Sequence, residues 1–221
     1  MLISEILQAD VVTVAPDTPL AQVLQVLNRR RVRHVPVVEA ERLVGIISDR
    51  DIKSALAPSL GPGGRTAGQI MTREPITIAP MFPVEEAARV MVTNRISALP
   101  VVEGTRLVGI VTETDLLEVL SRAMGALEPS SRLDIAVTGG AQAVDDVIRT
   151  VAATGARISS LMTWSARTDA QDIAIRLATI DPGPAIRALE AKGYAVRDSW
   201  RGPRRPGDAP ARTPARDEAR P

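Results

Sequence analysis

The sequence predicts a mixed α/β (α+β) chain made of two β-α-β-β-α repeats in tandem and one β-α-β-β-α-β unit. Three observations predict it. The chain repeats itself without gaps at an offset of 64 residues: RVRHVPVVEAERLVGIISDRD (31–51) aligns with RISALPVVEGTRLVGIVTETD (95–115), with 11 of the 21 pairs identical. Within each copy, apolar residues spaced three and four apart precede two short β-branched runs. After Leu127 the composition changes and a second alternation of strand and helix patterns begins. Two copies are too few for a solenoid and read as halves of one pseudo-symmetric unit.

The elements follow in order. A short helical stretch (4–8; about 67–71) precedes a brief strand (11–14; 75–78) carrying Thr13 or Thr77. Thr13, Pro16 and Pro19 match Thr77, Pro80 and Pro83. Pro19 and Pro83 sit at a helix start, where the missing N–H costs little. Leu20, Val23, Leu24 and Leu27 form one apolar helix face, and Val84, Ala87, Ala88 and Met91 form its counterpart. HVPVV and LVGII, or ALPVV and LVGIV, are paired strands around a polar turn (39–42 in the first copy). A further helix follows Asp51 and Asp115, and the Pro/Gly-rich 57–65 links the copies.

EPSSR (128–132) reads as a polar linker and LDIAVTG as a strand. Gly139–Gly140 forms a turn, and Val144, Val147, Ile148 and Val151 mark a helix closed by Gly155. ARISSLMTW, with Trp164 at its end, and DIAIRLATI alternate as strands. Pro182 or Pro184 opens a second helix that Gly193 closes, and AVRDSW is the last strand. This is the split βαβ order. The expected domains are 1–64, 65–127 and 128–200. The tail 201–221, with five Pro, six Arg and no apolar periodicity, is expected to be disordered.

The pairing of h-P-V-V with L-V-G-I-h-[ST]-x-x-D after a Thr-bearing strand resembles the CBS motif, named for cystathionine β-synthase, over residues 1–124. Two copies in tandem resemble a Bateman module. With its Gly-containing first turn, the third unit resembles a ferredoxin-like ACT domain, a regulatory module that commonly binds amino acids and pairs with a second copy. The combination is similar to the AcuB-type proteins of acetoin utilisation.

Elementary chemistry at the motif suits a nucleotide. A carboxylate accepts two hydrogen bonds and a ribose diol offers two donors. A helix start supplies free N–H groups and a positive dipole end for a phosphate. Ser48, Thr112 and Thr114 add hydroxyls near Asp51 and Asp115. The competing account is that Ser, Thr and Asp merely cap helices, worth about 1 kcal/mol each. The resemblance implies an adenine nucleotide (AMP, ADP, ATP or S-adenosylmethionine) between the copies, in two clefts. One would join Thr13, Val32, Arg33, His34 and Val35 to Thr112, Thr114 and Asp115. The other would join Thr77, Ile96, Ser97, Ala98 and Leu99 to Ser48, Arg50 and Asp51. Arg33 can grip a phosphate bidentately and His34 adds a pH-dependent donor, so the first cleft is expected to take the more phosphorylated ligand, or to bind more tightly. His34 also has a simpler reading, as a hydrogen-bonded structural residue. The separate run Arg29–Arg31 reads as a solvated helix end, with a nucleic-acid contact as its minority alternative. Gly139 and Gly140 either satisfy a tight turn or let an ACT ligand approach.

Composition excludes several classes. The chain has no Cys and one His, which removes disulfides, thiolate zinc sites, cysteine nucleophiles and a multi-histidine metal site within one chain. Neither a G-x-x-x-x-G-K-[ST] nor a G-x-G-x-x-G run occurs. The six arginines and three acids of 201–221 leave residues 1–200 at net −2, with no global basic signature for nucleic acid. No apolar run reaches the roughly 18 residues of a membrane helix, and the N-terminus lacks a signal-peptide pattern. The expectation is a non-enzymatic cytoplasmic regulator without a required cofactor or metal. The resemblance implies an adenine nucleotide as ligand, an amino acid or small metabolite as a further partner, and a homodimer. An assembly adaptor with vestigial clefts is the alternative.

Overall fold

Proline placement and apolar spacing set the frame of each repeat. The computed structural model describes residues 1–55, 64–167 and 170–197; the expected linker is described only at 64–65, and the expected tail lies outside these residues. The chain divides into two compact units, 1–121 and 122–221. In the first unit, Pro19 precedes α1 (Leu20–Arg30) and Pro83 precedes α4 (Val84–Asn94). Leu20, Val23 and Leu27 bury one face of α1; Val84, Ala87 and Met91 bury that of α4. Both helices end in a left-handed arginine, Arg31 (φ 54°) and Arg95 (φ 55°), whose N–H closes on the last-turn carbonyls.

Each repeat then forms a hairpin: β1 (His34–Glu39) with β2 (Arg42–Ser48), and β4 (Ala98–Glu103) with β5 (Arg106–Thr112). The first turn holds Ala40 and Glu41 at φ 46° and 65°, the positive values that match strand twist in a two-residue hairpin loop. Helices α2 (Asp49–Ala55) and α5 (Glu113–Ala123) follow. The hairpins join in the order β1-β2-β5-β4, with Arg42 opposite Arg106. The expected strands 11–14 and 75–78 contract to single parallel bridges, Val14 to Val37 and Ile78 to Val101. Proline explains the contraction. Val14 N–H donates to the Pro36 carbonyl and Val38 N–H to the Val14 carbonyl. The next ladder bonds would need N–H groups from Pro36 and Pro16, which have none; Pro100 and Pro80 repeat this in the second copy.

The short leading segments are exchanged between repeats. The N-terminal turn Ile3–Glu5 packs into the second repeat: Ile3 is fully buried with Ile78, Val84 and Leu99. Its N–H donates to the Phe82 carbonyl at 3.0 Å, and Gln8 bridges Ile110. Conversely α3 (Ala67–Ile70) and β3 (Thr72–Arg73) pack on the first repeat, where Ala67 and Met71 join Val23, Val35 and Ile47. The glycine of each L-V-G-I run admits the crossing segment. A Cβ at Gly109 would stand 2.5 Å from Leu7 Cδ1 and 3.1 Å from the Gln8 carbonyl; one at Gly45 would stand 2.9 Å from the Thr72 carbonyl.

The second unit carries β6 (Ser131–Val137), α6 (Gly140–Ala153), β7 (Ile158–Arg167), β8 (Ala170–Leu177), α7 (Gly183–Ala191) and β9 (Ala195–Arg197). The sheet is antiparallel in the order β7-β8-β6-β9, the interleaving expected of a split βαβ. Its core sets Leu133, Ile135, Ile173 and Ile175 against Val147, Val151 and Leu189. Trp164 lies within β7 rather than at its end, and Ser131 and Arg132 of the expected linker already belong to β6. Gly139 (φ 113°) and Gly140 (φ 63°) make the tight turn into α6. Asp146 accepts from Lys192 Nζ (2.6 Å) and Tyr194 Oη (2.9 Å), fastening α6 to the α7–β9 connection. These bonds hold its carboxyl below the usual range.

Candidate functional site

Each repeat turns from strand to helix through the same hydrogen-bonded knot. Ser48 ends β2, and both its N–H (2.8 Å) and its hydroxyl (2.7 Å) donate to Asp51 Oδ2; Asp51 N–H returns a 3.3 Å bond to Ser48 Oγ. Thr112 N–H and Oγ1 each donate to Asp115 Oδ2 at 2.7 Å. The first is a reciprocal capping box with Asp in place of Glu; the second shares its two bonds to the Asp carboxylate, with no return bond among the described residues. The helices therefore start at Asp49 and Glu113, two residues before the aspartates. In both knots a single oxygen takes the capping bonds. Asp115 Oδ1 accepts from Gln8 Nε2 at 3.2 Å, and among the described residues no donor reaches Asp51 Oδ1. Capping thus leaves Asp51 Oδ1 without a partner among the described residues, while Asp115 Oδ1 is shared with Gln8 and keeps one lone pair.

Two cavities open beside these knots. The first, of about 420 Å³, brings Val32, Arg33 and His34 of the first repeat to Thr112, Thr114 and Asp115 of the second. Gln8, Asp10, Arg30 and Arg31 complete its wall. The second, of about 520 Å³, brings Ile96, Ser97 and Ala98 to Ser48, Arg50 and Asp51, with Thr72, Glu74, Arg95 and Glu113 added. Four of the expected residues stand elsewhere. Val35 and Leu99 are fully buried in the two repeat cores, because the strand alternation turns their side chains inward. Thr13 is exposed and lines a neighbouring cavity of about 300 Å³ that shares Val11 with the first cleft. Thr77 is exposed and lines neither cleft.

Arg33 and His34 were expected in the first cleft alone, but they line both. His34 Nε2 lies 3.1 Å from Ser97 Oγ, so the two repeats touch through a polar contact between the clefts. Burial, then the neighbouring Arg33 charge, pushes the imidazole pKa below its ordinary 6.5; Asp49, Asp51 and Glu113 oppose this. The shift favours the neutral imidazole at pH 7. The charge balance differs between clefts. The first holds Arg30, Arg31 and Arg33 against Asp10 and Asp115. The second holds Arg33, Arg50 and Arg95 against Asp49, Asp51, Glu74 and Glu113, with Asp49 already paired to Lys53 at 2.8 Å.

Periodicity missed Gln8, Asp10, Glu74 and Arg95, and the run Arg29–Arg31, read as a solvated helix end, supplies Arg30 and Arg31 to the first cleft. The 64-residue register would have paired them: Gln8 with Thr72, Asp10 with Glu74, Arg31 with Arg95. Among the described residues no group of three or more His, Cys, Asp or Glu is arranged to hold a metal ion, and no helix is long and apolar enough to cross a membrane.

The two repeats thus form a pseudo-symmetric tandem module with two inter-repeat clefts. The CBS domain family matches the chain twice, over residues 3–58 and 67–122, and the chain belongs to that family. A CBS domain-containing protein of Dictyostelium discoideum is 32% identical over 143 residues, 59% of this chain and 99% of its own length. An inosine-5′-monophosphate dehydrogenase of Methanocaldococcus jannaschii is 31% identical over 138 residues, and the chain spans only 27% of that enzyme. Among solved structures, a CBS domain pair in complex with 5′-methylthioadenosine and S-adenosyl-L-methionine aligns with TM-score 0.51 and 33% identity, covering 55% of this chain and 96% of that one. A putative acetoin utilization protein (AcuB) from Vibrio cholerae aligns with TM-score 0.53 and 27% identity, covering 57% and 96%.

Proposed function

We propose that the chain is a regulatory sensor that binds adenine nucleotides, such as AMP, ADP, ATP or S-adenosylmethionine, in the clefts between its CBS repeats. One observation carries this reading: each cleft pairs the pre-strand residues of one repeat with the hydroxyl–aspartate knot of the other, and one oxygen of each aspartate is left outside the capping bonds. In the first cleft this puts an acceptor for a ribose diol, the hydroxyls of Thr112 and Thr114, and the arginines Arg30, Arg31 and Arg33 around one space. The CBS pair whose structure contains 5′-methylthioadenosine and S-adenosyl-L-methionine supports the ligand class, as does a second one, CBSX2, in complex with AMP. Ligand acts by favouring one arrangement of the repeats, by no more than its preference for that arrangement.

In this reading residues 128–200 are an ACT-like unit that binds a small metabolite or pairs two copies of the chain, with the Gly139–Gly140 turn as its ligand approach. The whole is a cytoplasmic homodimer without catalytic activity, of the acetoin-utilisation type. A second reading, an assembly adaptor, is favoured by the capping bonds, because the fold alone accounts for Ser48, Asp51, Thr112 and Asp115. Mass spectrometry of small molecules released from the purified protein, with a thermal-shift screen of nucleotides and amino acids, separates them. A co-purifying adenine compound, or a nucleotide that raises the melting temperature, is expected; no ligand in either assay would favour the adaptor.

A further inference from the structure

The two clefts share a wall. Arg33 is exposed, lines both cavities, and among the described residues has no hydrogen-bond or ion-pair partner for its guanidinium. Its symmetry mate is Ser97, so the pair of clefts has one such cation rather than two. His34 stands beside it, in contact with Ser97 at 3.1 Å. A guanidinium that grips a phosphate does so with a planar fork, which fixes its direction and commits it to one side. Drawing Arg33 to the first cleft leaves the second with Arg50 and Arg95 against Asp51, Glu74 and Glu113, Asp49 being held by Lys53. The second cleft then carries a surplus of negative charge that repels a phosphate and tolerates a ligand without one.

We propose that the clefts are antagonistic toward anions: a polyphosphate nucleotide in the first cleft takes Arg33, and the second cleft then accepts an adenosine derivative that carries no phosphate. The proposal rests on the nucleotide-binding reading above and adds the sign of the coupling and the group that transmits it. Coupling between sites is reciprocal, so AMP in the second cleft weakens ATP in the first by the same factor.

Titration calorimetry on the full chain tests this with three probes, ATP, AMP and 5′-methylthioadenosine. ATP alone is expected to fill one site per chain. With ATP saturating, AMP binding is expected to weaken about tenfold, within the usual range of inter-site coupling, while 5′-methylthioadenosine binds undiminished. In Arg33→Ala, a surface change that leaves the core intact, the tenfold penalty is expected to shrink to about twofold or less. ATP and AMP binding independently in the wild type would overturn the proposal and leave the nucleotide reading standing. A penalty that persists in Arg33→Ala would overturn it too, because simple repulsion between the two anions would then explain the coupling. No binding of any probe would overturn the nucleotide reading, and this inference with it.

Discussion

The two clefts come from one repeated segment, and setting them side by side separates what the fold needs from what a ligand can select. Ser48–Asp51 and Thr112–Asp115 make the same capping knot, and Arg31 and Arg95 close their helices with the same left-handed turn. Those shared positions hold backbone geometry. The clefts differ where the backbone is indifferent: Arg30 faces Asn94 in the repeat register, Arg33 faces Ser97, and Thr114 faces Arg50. In the proposed reading, the divergent side chains are where two ligands could be told apart, and the shared ones serve the fold.

The largest expected effect breaks the pairing of the repeats themselves. Ile3→Ala removes a fully buried side chain that the N-terminal segment lends to the second repeat. It should lower unfolding free energy by about 2–5 kcal/mol in urea titrations. It should also loosen Gln8 and Asp10, and so disturb the first cleft more than the second. Next come the knots. Asp115→Ala and Asp51→Ala each remove a capping acceptor and are expected to cost about 1 kcal/mol of stability. Each should abolish nucleotide binding in its own cleft while sparing the other. Equal loss in both clefts from either change would contradict the assignment of one aspartate to each.

Smaller effects sharpen the charge comparison. Arg33→Ala should weaken ATP in the first cleft by about tenfold, in line with roughly 1.5 kcal/mol for a charge-assisted hydrogen bond. An unchanged affinity in Arg33→Ala alongside abolished binding in Asp51→Ala would reverse the ranking of the clefts. The smallest effect concerns pH. Burial depresses the His34 pKa below 6.5 in the folded chain, whereas the unfolded chain takes up a proton near 6.5. The unfolded state therefore binds more protons in that window, and stability falls as pH drops from about 6.5 toward the folded value. Urea unfolding at pH 7.5 and 5.5 should show this slope in the wild type and a reduced one in His34→Asn. An anion bound next to His34, Arg33, Asp49, Asp51 and Glu113 should draw the imidazole pKa back up, so binding near pH 6 should take up protons.

The sequence carried the local architecture well and the long-range partners poorly. The faces Leu20–Val23–Leu27 and Val84–Ala87–Met91 were readable from spacing, as were both hairpins and the βαββαβ order. Periodicity says that a face is apolar but not which element covers it, so the exchange of Ile3 and Ala67 between repeats left no local trace. The strands at 11–14 and 75–78 were overextended, although the prolines that stop them, Pro16 with Pro36 and Pro80 with Pro100, stood in plain view. The His34–Ser97 contact joins residues 63 apart and required the repeats to be folded against one another. Thr13 and Thr77 took their expected role from the resemblance alone, and neither lines the cleft assigned to it.

The most direct measurement is a calorimetric titration of the full chain with AMP, ADP, ATP and S-adenosylmethionine, repeated on Asp51→Asn and Asp115→Asn variants whose melting curves confirm folding. The account predicts saturable binding of at least one adenine nucleotide by the wild type, with Asp115→Asn removing the polyphosphate site and Asp51→Asn leaving it in place. Absence of binding by the folded wild-type chain up to millimolar nucleotide would contradict it.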